Sequence, residues 1–223
     1  MKIAICTPCH SDVSAEYAKS LATMIMFTLK ARIVYNGEPV EPQIEIFMKT
    51  GSLLPKLRNL LVEDALDWGA DYLLWIDSDH WFPDHSLMRL LSLNLPVVGV
   101  NYPRRAHPFL PTAVGLDGRH AWTTQELAAG GEVASVQSLG LGFCLIDMNA
   151  IRSLGDPRQS AEAGPFFANE ILPDGRTILG EDVYFFARLR QAGFTVHLDH
   201  QLSWEIGHVS TQIVTNADSG SPS

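Results

Sequence analysis

Two carboxylates one residue apart close a run of apolar and aromatic residues, Tyr72-Leu73-Leu74-Trp75-Ile76-Asp77-Ser78-Asp79. Side chains alternate along extended chain, so Asp77 and Asp79 can point the same way. Carboxylate oxygens at such spacing suit a hard divalent cation. Taken alone, the same residues also suit a turn, because Asp and Ser are turn formers and Pro83 follows. Four other stretches carry groups that could do chemistry. Lys56-Leu57-Arg58-Asn59 places cations at a helix start, where they hold a phosphate or a base, or simply form a solvated face. Gly180-Glu181-Asp182 places acids in a first helical turn, where the macrodipole favours them. The same field is expected to keep a carboxylate ionised, as a general base requires. His208 follows Trp204-Glu205-Ile206-Gly207, a strand-like run and a glycine that can return it to a crevice. Cys6-Thr7-Pro8-Cys9-His10 matches both a redox pair and a haem-attachment pattern. Nothing else supports either, so Cys6 is expected in the core at a strand end and Cys9 in a loop. Gly140 and Gly142 flank a strand start, where glycine permits close approach of backbone or ligand, or marks a bulge.

The elements that must position these groups alternate over the first hundred residues. Lys2 to Cys6 reads as a strand. Ser11 or Asp12 is expected to cap a helix running to Ala31. Ile44 to Phe47 reads as the next strand, and Pro55 opens a helix stopped by Gly69. The unbroken apolar run before Asp77 reads as a central strand buried on both faces. A helix over Ser86 to Leu93 and a strand at Val97 to Val100 follow. This alternation is the pattern of a parallel sheet with covered faces. Ligands of such sheets bind beyond the carboxyl ends of the strands, where Asp77 and Asp79 fall. Residues 101–138 and 155–178 are loop-rich. A buried strand is expected at Phe143 to Ile146, a helix from Gly180 to Gln191, and a last strand at Thr195 to Leu198. Residues 1–210 are read as one domain and residues 211–223 as a disordered tail.

The net charge of -9 argues against a long groove tracking phosphates, which rests on Lys and Arg. No signal-peptide pattern precedes the first strand, and no apolar run is long enough to span a membrane. Three cysteines do not make a disulfide framework. A cytoplasmic protein is expected.

In order and spacing, these stretches resemble the GT-A glycosyltransferases, closest to small family-2-like members of bacteria and bacteriophages. The motifs that carry the resemblance are Lys56-Leu57-Arg58-Asn59, Leu74 to Asp79, Val98-Gly99-Val100-Asn101-Tyr102-Pro103-Arg104, Gly140-Leu141-Gly142-Phe143, Gly180-Glu181-Asp182 and Gly207-His208. It implies a GT-A, Rossmann-like α/β fold, with a mostly parallel central sheet flanked by helices in one domain. It implies Mn²⁺ or Mg²⁺ as cofactor and a nucleoside-diphosphate sugar as donor. Asp79 is then the direct metal ligand, Asp77 faces the ribose or metal waters with Ser78 beside it, and His208 completes the metal shell. Thr7 and Pro8 begin the nucleotide pocket, and Arg58 contacts the diphosphate. Asp182 matches the base of inverting members, with Glu181 beside it near the donor sugar or acceptor. Where many members carry an acid that reads uracil, this sequence has Lys49-Thr50-Gly51-Ser52. The acceptor is a hydroxyl on a glycan, a small molecule or a modified nucleobase, with Trp122, Phe166 and Phe167 expected on the loops that shape its site. Two other readings use the same residues: a sugar nucleotidyltransferase, and a non-catalytic nucleotide-sugar binding module. The first normally carries a Gly-rich basic loop after the first strand, which Cys6 to Ser11 lacks.

Overall fold

The structure, a computed structural model, describes residues 1–35, 37–105, 107–209 and 213–218. The chain opens with β1 (Lys2–Cys9), α1 (Ala15–Lys30), the antiparallel pair β2 (Ile33–Tyr35) and β3 (Glu38–Val40), β4 (Gln43–Thr50), α2 (Leu54–Trp68) and β5 (Tyr72–Ile76). There follow β6 (His80–Trp81), α3 (Ser86–Ser92), β7 (Val97–Gly99), β8 (Val114–Gly115), α4 (Gln125–Ala129), β9 (Val133–Ser138), β10 (Phe143–Asp147) and α5 (Met148–Ser153). The last part holds β11 (Glu170–Ile171), β12 (Ile178–Leu179), α6 (Glu181–Gln191), β13 (Val196–Asp199), α7 (His200–Glu205), β14 (Gly207–Val209) and β15 (Ile213–Val214).

One 8-stranded sheet organises the fold in the order β4-β1-β5-β10-β7-β13-β9-β8. Strands β4, β1, β5, β7 and β13 point one way, while β10 and β9 run against their neighbours. Alternation along the strands divides the core into two layers. Ile3 and Ile5 of β1 and Leu74 and Ile76 of β5 face Tyr17, Leu21 and Met24 of α1 and Leu87 and Leu90 of α3. Ala4 and Cys6, with Leu73 and Trp75, face Leu61, Val62 and Ala65 of α2 and Phe185, Phe186 and Leu189 of α6. The sheet edge where β1, β5 and β7 end is therefore fixed from both faces. Among the described residues, no helix is long and apolar enough to cross a membrane.

Several local expectations need correction. The cap of α1 is Ser14, whose hydroxyl accepts from the Tyr17 amide, not Ser11 or Asp12. Strand β1 runs on through Cys9, pairing with β4 as far as Thr50. Pro8 is tolerated because β5 pairs with β1 only as far as Cys6, so the missing N–H breaks no ladder. The run before His208 is helix α7, capped by the Asp199 carboxylate, rather than a strand. Within the expected tail, β15 and a 3₁₀ turn over Asn216–Asp218 are formed, and Asn216 is buried. Its amide donates to the carbonyls of Asn101 (2.9 Å) and Ser203 (2.5 Å). Residues 211–212 and 219–223 of that tail lie outside the described residues.

Candidate functional site

Strand β5 stops at Ile76, and Asp77, Ser78 and Asp79 turn away from the sheet edge. What holds the turn is the neighbouring reversed strand. Because β10 is antiparallel to β5, its beginning lies at the end of β5, and the Asp77 amide donates to the Gly142 carbonyl at 3.0 Å. Tyr102, just beyond β7, accepts the Gly142 amide on its hydroxyl at 2.8 Å. The backbone leading to Tyr102 is held in turn by Asn101. Its side-chain amide donates to Ala121 O, and its side-chain oxygen accepts from the Thr112 and Ala113 amides. A Cβ on Gly142 would lie 2.3 Å from His80 Cε1, and one on Gly140 would lie 2.3 Å from the Tyr102 hydroxyl. Both positions require glycine for close approach, as their place before a strand suggested.

Asp77 and Asp79 face different partners. Asp77 Oδ1 accepts from Arg58 Nη2 at 3.0 Å. Arg58 comes from the first turns of α2 and is 2% exposed, packed over the Trp75 ring. Its Nε lies 3.5 Å from Glu181 Oε1 at the start of α6. Burial alone would weaken its charge, but Asp77 and Glu181 outweigh burial and hold the guanidinium firmly protonated. Asp79 instead meets imidazoles. Its Oδ1 lies 3.3 Å from His208 Nε2 and 3.4 Å from His80 Nδ1, and its Oδ2 lies 2.9 Å from Arg105 Nη1. Burial opposes its charge, yet the two imidazoles prevail and hold the carboxyl well below the usual range. The short strand β14 pairs with β6 so that His208 stands opposite His80, and their rings stack at 4.6 Å. His208 Nδ1 lies 3.2 Å from the Pro103 carbonyl. A carbonyl only accepts, so Nδ1 carries a proton, and Nε2 is the ring nitrogen turned toward Asp79.

Asp79, His80 and His208 each offer a donor atom, and those atoms lie within 4.8 Å of one another. His80 is the residue that sequence reasoning missed. It directly follows Asp79, but its role depends on the β6–β14 pairing across the chain. The signal that could have found it is a metal-ligating residue type adjoining the Asp-x-Asp pair.

An open cleft of about 310 Å³ adjoins the cluster, lined among others by Pro8, Gly51, Asp77, Ser78, Asp79 and His208. The structure thus brings together Pro8, Asp77, Ser78, Asp79 and His208. Other expected residues lie elsewhere. Thr7 is buried on the opposite side of β1, with its hydroxyl 2.6 Å from that of Tyr17. Arg58 sits beneath Asp77 and not on the cleft wall; the cation at the mouth is Arg105, which is 55% exposed. Phe166 and Phe167 are core residues, not loop residues facing an acceptor. Phe167 packs between Trp75 and Phe185, and its backbone exchanges two hydrogen bonds with Asn59. Cys6 and Cys9 lie three positions apart on one strand, so their side chains point to opposite faces and cannot pair. Cys6 is buried against Leu61 O, and Cys9 donates to Asp12 O at 2.8 Å.

Glu181 and Asp182 open α6 over the capping Gly180. Both are half-buried, and both carboxyls are shifted upward, first by burial, against the pull of Arg58. Asp182 Oδ1 accepts from the Val183 amide at 2.7 Å. The helix field was expected to keep Asp182 ionised, but loss of water outweighs it. A carboxylate raised toward neutrality is a better proton acceptor than an ordinary one.

No family model matches the sequence, and no curated protein sequence matches it. Among solved structures, the chain is similar to the crystal structure of A197 from STIV. The TM-score is 0.60 and the identity 15%, over 100% of this chain and 96% of that one. Two crystal structures of S. aureus TarS, one of residues 1–349, match at TM-scores of 0.45 and 0.44 with 11% and 12% identity. Each covers 89% of this chain, but this chain spans 57% and 35% of theirs. The chain has the GT-A-like α/β fold: one domain with a mixed central sheet flanked by helices.

Proposed function

We propose that the protein is a metal-dependent glycosyltransferase that moves a sugar from a nucleoside-diphosphate sugar to a hydroxyl. The observation that carries this reading is the pairing of two groups at one carboxyl sheet edge. One is an oxygen and imidazole donor cluster around Asp79, and the other is a half-buried acid pair behind Asp77.

The residues present fit a divalent cation. His208 is oriented by the Pro103 carbonyl on Nδ1, with Nε2 turned toward Asp79, the arrangement of a metal-ligating imidazole. His80 has two buried ring nitrogens without hydrogen-bond partners. Asp79 and His208 would hold Mn²⁺ or Mg²⁺ beside the cleft. A bound cation neutralises charge on a departing diphosphate. Arg105, exposed and paired with Asp79, can exchange that carboxylate for a phosphate oxygen of the donor. Pro8, Gly51, Ser52 and Ser78 supply the cleft walls against which a nucleotide is placed. Asp77 is oriented by Arg58 and the Gly142 carbonyl, and it can accept a ribose hydroxyl. Asp182, raised by burial, would take the acceptor's proton in an inverting displacement.

The test combines melting and turnover. Mn²⁺ with a nucleoside diphosphate should raise the melting temperature through ligand linkage. Asp79→Ala should abolish the metal-dependent part. Nucleotide sugars are then screened for hydrolysis or transfer, and proton NMR of the anomeric signal reads the stereochemistry. Binding without any turnover would assign the binding-module function instead. A product with the donor's own configuration would remove Asp182 from the role of direct base.

A further inference from the structure

His80 is 0% exposed, and neither of its ring nitrogens has a hydrogen-bond partner. A buried polar atom without a hydrogen bond costs about 1–3 kcal/mol; His80 Nε2 stands so, and Nδ1 has only the long 3.4 Å approach to the Asp79 carboxylate. Packing alone does not account for the residue, because an apolar ring would fill the same space without that cost. The surrounding structure is nonetheless cut to fit this imidazole. Gly142 leaves room for it, with an added Cβ falling 2.5 Å from His80 Nε2. Tyr102 meets it edge-on with ring centroids 4.4 Å apart, and His208 stacks on its other side.

The position of Nδ1 supplies the missing role. It lies 3.4 Å from Asp79 Oδ1, and His208 Nε2 lies 3.3 Å from the same oxygen. Metal–nitrogen and metal–oxygen bonds of about 2.1 Å at tetrahedral angles put neighbouring donors about 3.4 Å apart. We infer that His80 Nδ1 is a third protein ligand of the cation held by Asp79 and His208. The resulting set of two imidazoles and one carboxylate favours a transition-metal dication over Mg²⁺ and Ca²⁺. This inference rests on the metal part of the preceding reading and is independent of the transferase part.

The chemistry of the donors sets the selectivity. Mg²⁺ and Ca²⁺ take oxygen ligands, and Mg²⁺ gives up its waters reluctantly. Imidazole nitrogen suits Zn²⁺, Fe²⁺ and their neighbours, and two histidines with one carboxylate leave further positions open. Asp77 lies outside this cluster, with its Oδ1 turned to Arg58. The two imidazoles also come from strands paired in register, with His80 opposite His208, so their spacing is fixed before a cation arrives.

The test uses the full chain, stripped by chelator and reloaded with Mn²⁺. Pulsed electron paramagnetic resonance counts the imidazole nitrogens coupled to the ion. Two are expected; one, or no bound ion, overturns the inference. Calorimetry should show Mn²⁺ bound at least about 10²-fold more tightly than Mg²⁺, and His80→Gln should remove about 10²-fold of the Mn²⁺ affinity, the upper range for groups that support a metal. A folded His80→Gln variant that keeps the parent's Mn²⁺ affinity also overturns it. If that variant does not fold, the nitrogen count on the parent decides alone. No donor sugar is present in these measurements, so a protein that fails to turn over any nucleotide sugar still returns two nitrogens if His80 is a ligand.

Discussion

Replacing Asp77 by Asn should destabilise the fold even with all metal removed. The reason lies in Arg58, a cation 2% exposed whose shortest contact to an acid is the 3.0 Å bond to Asp77 Oδ1. Asparagine keeps the shape and offers an amide oxygen, but it removes the counter-charge. A hydrogen bond between charged groups contributes about 1.5–3 kcal/mol, and stripping a buried charge of its partner costs about 3–5 kcal/mol. The loss here should fall short of the larger range. Glu181 remains 3.5 Å from Arg58 Nε, and Asp77 is 26% exposed, so water already shares its charge. A loss of about 2 kcal/mol is the reasoned value, from a charged bond half replaced by a neutral one. For a chain of this size it corresponds to a melting temperature lower by about 4–8 °C. The assay is thermal unfolding in chelator, with Arg58→Met and the double variant completing a cycle that isolates the pair. An Asp77→Asn melting point within about 1 °C of the parent, against the shift expected for such a loss, would refute the argument. So would a cycle with no coupling, since the two side chains would then not sense one another.

Gly142→Ala should destabilise by about 1–3 kcal/mol, the cost of overpacking, because the methyl would meet His80 Cε1 at 2.3 Å and the Tyr102 hydroxyl at 2.6 Å. An unchanged urea midpoint would show that the ring and the phenol yield freely. Asp182→Asn should lower turnover by about 10²-fold while raising the melting temperature at pH 7. The sign follows from its raised carboxyl: the folded state binds the proton more tightly, so stability is full below the ordinary value of 3.8 and is lost as pH climbs through the shifted one. The variant's advantage should therefore vanish in acid, and a variant that melts lower than the parent at neutral pH contradicts the assignment. Asn216→Ala should cost about 1–3 kcal/mol in thermal unfolding, because it leaves the buried carbonyls of Asn101 and Ser203 without their donor.

The parts of the molecule legible in the sequence were those set by local pattern. The unbroken apolar run of β5 identified the central strand, and Pro55 and Gly69 marked the two ends of α2, the latter with φ of 72°. The Asp77–Asp79 pair was visible because its spacing is a property of one strand end. The allocation of work between the two acids was not, because it depends on α2 and β14 arriving from distant parts of the chain. The place of Arg58 at a helix start suits a cation facing a ligand, yet the helix that carries it packs on the sheet and turns it inward beneath Asp77. His80 is not marked by local pattern, because β6 is two residues long and exists only by pairing with β14. Helix α7 has a strand-like sequence, because six residues give too little periodicity to separate the two. Phe166 and Phe167 lie in a loop, and only the tertiary contacts with Asn59, Trp75 and Phe185 make them core.

The reversed strand β10 is what joins these parts into one site. In a wholly parallel sheet the residue leading into a strand lies at the edge away from the carboxyl ends. Here β10 is inserted backwards between β5 and β7, so Gly140 and Gly142 arrive at the edge where those strands finish. The Gly142 carbonyl then fixes Asp77, its amide binds Tyr102, and its missing side chain admits His80. Asp77 orients Arg58 and, through it, Glu181, whereas His80 stands beside Asp79 and His208. A displacement of Gly142 must therefore move both the buried ion pair and the donor cluster. Substitutions at Gly142 should couple energetically to Asp77 and to His80, although neither of those residues forms an ion pair with the other's partner.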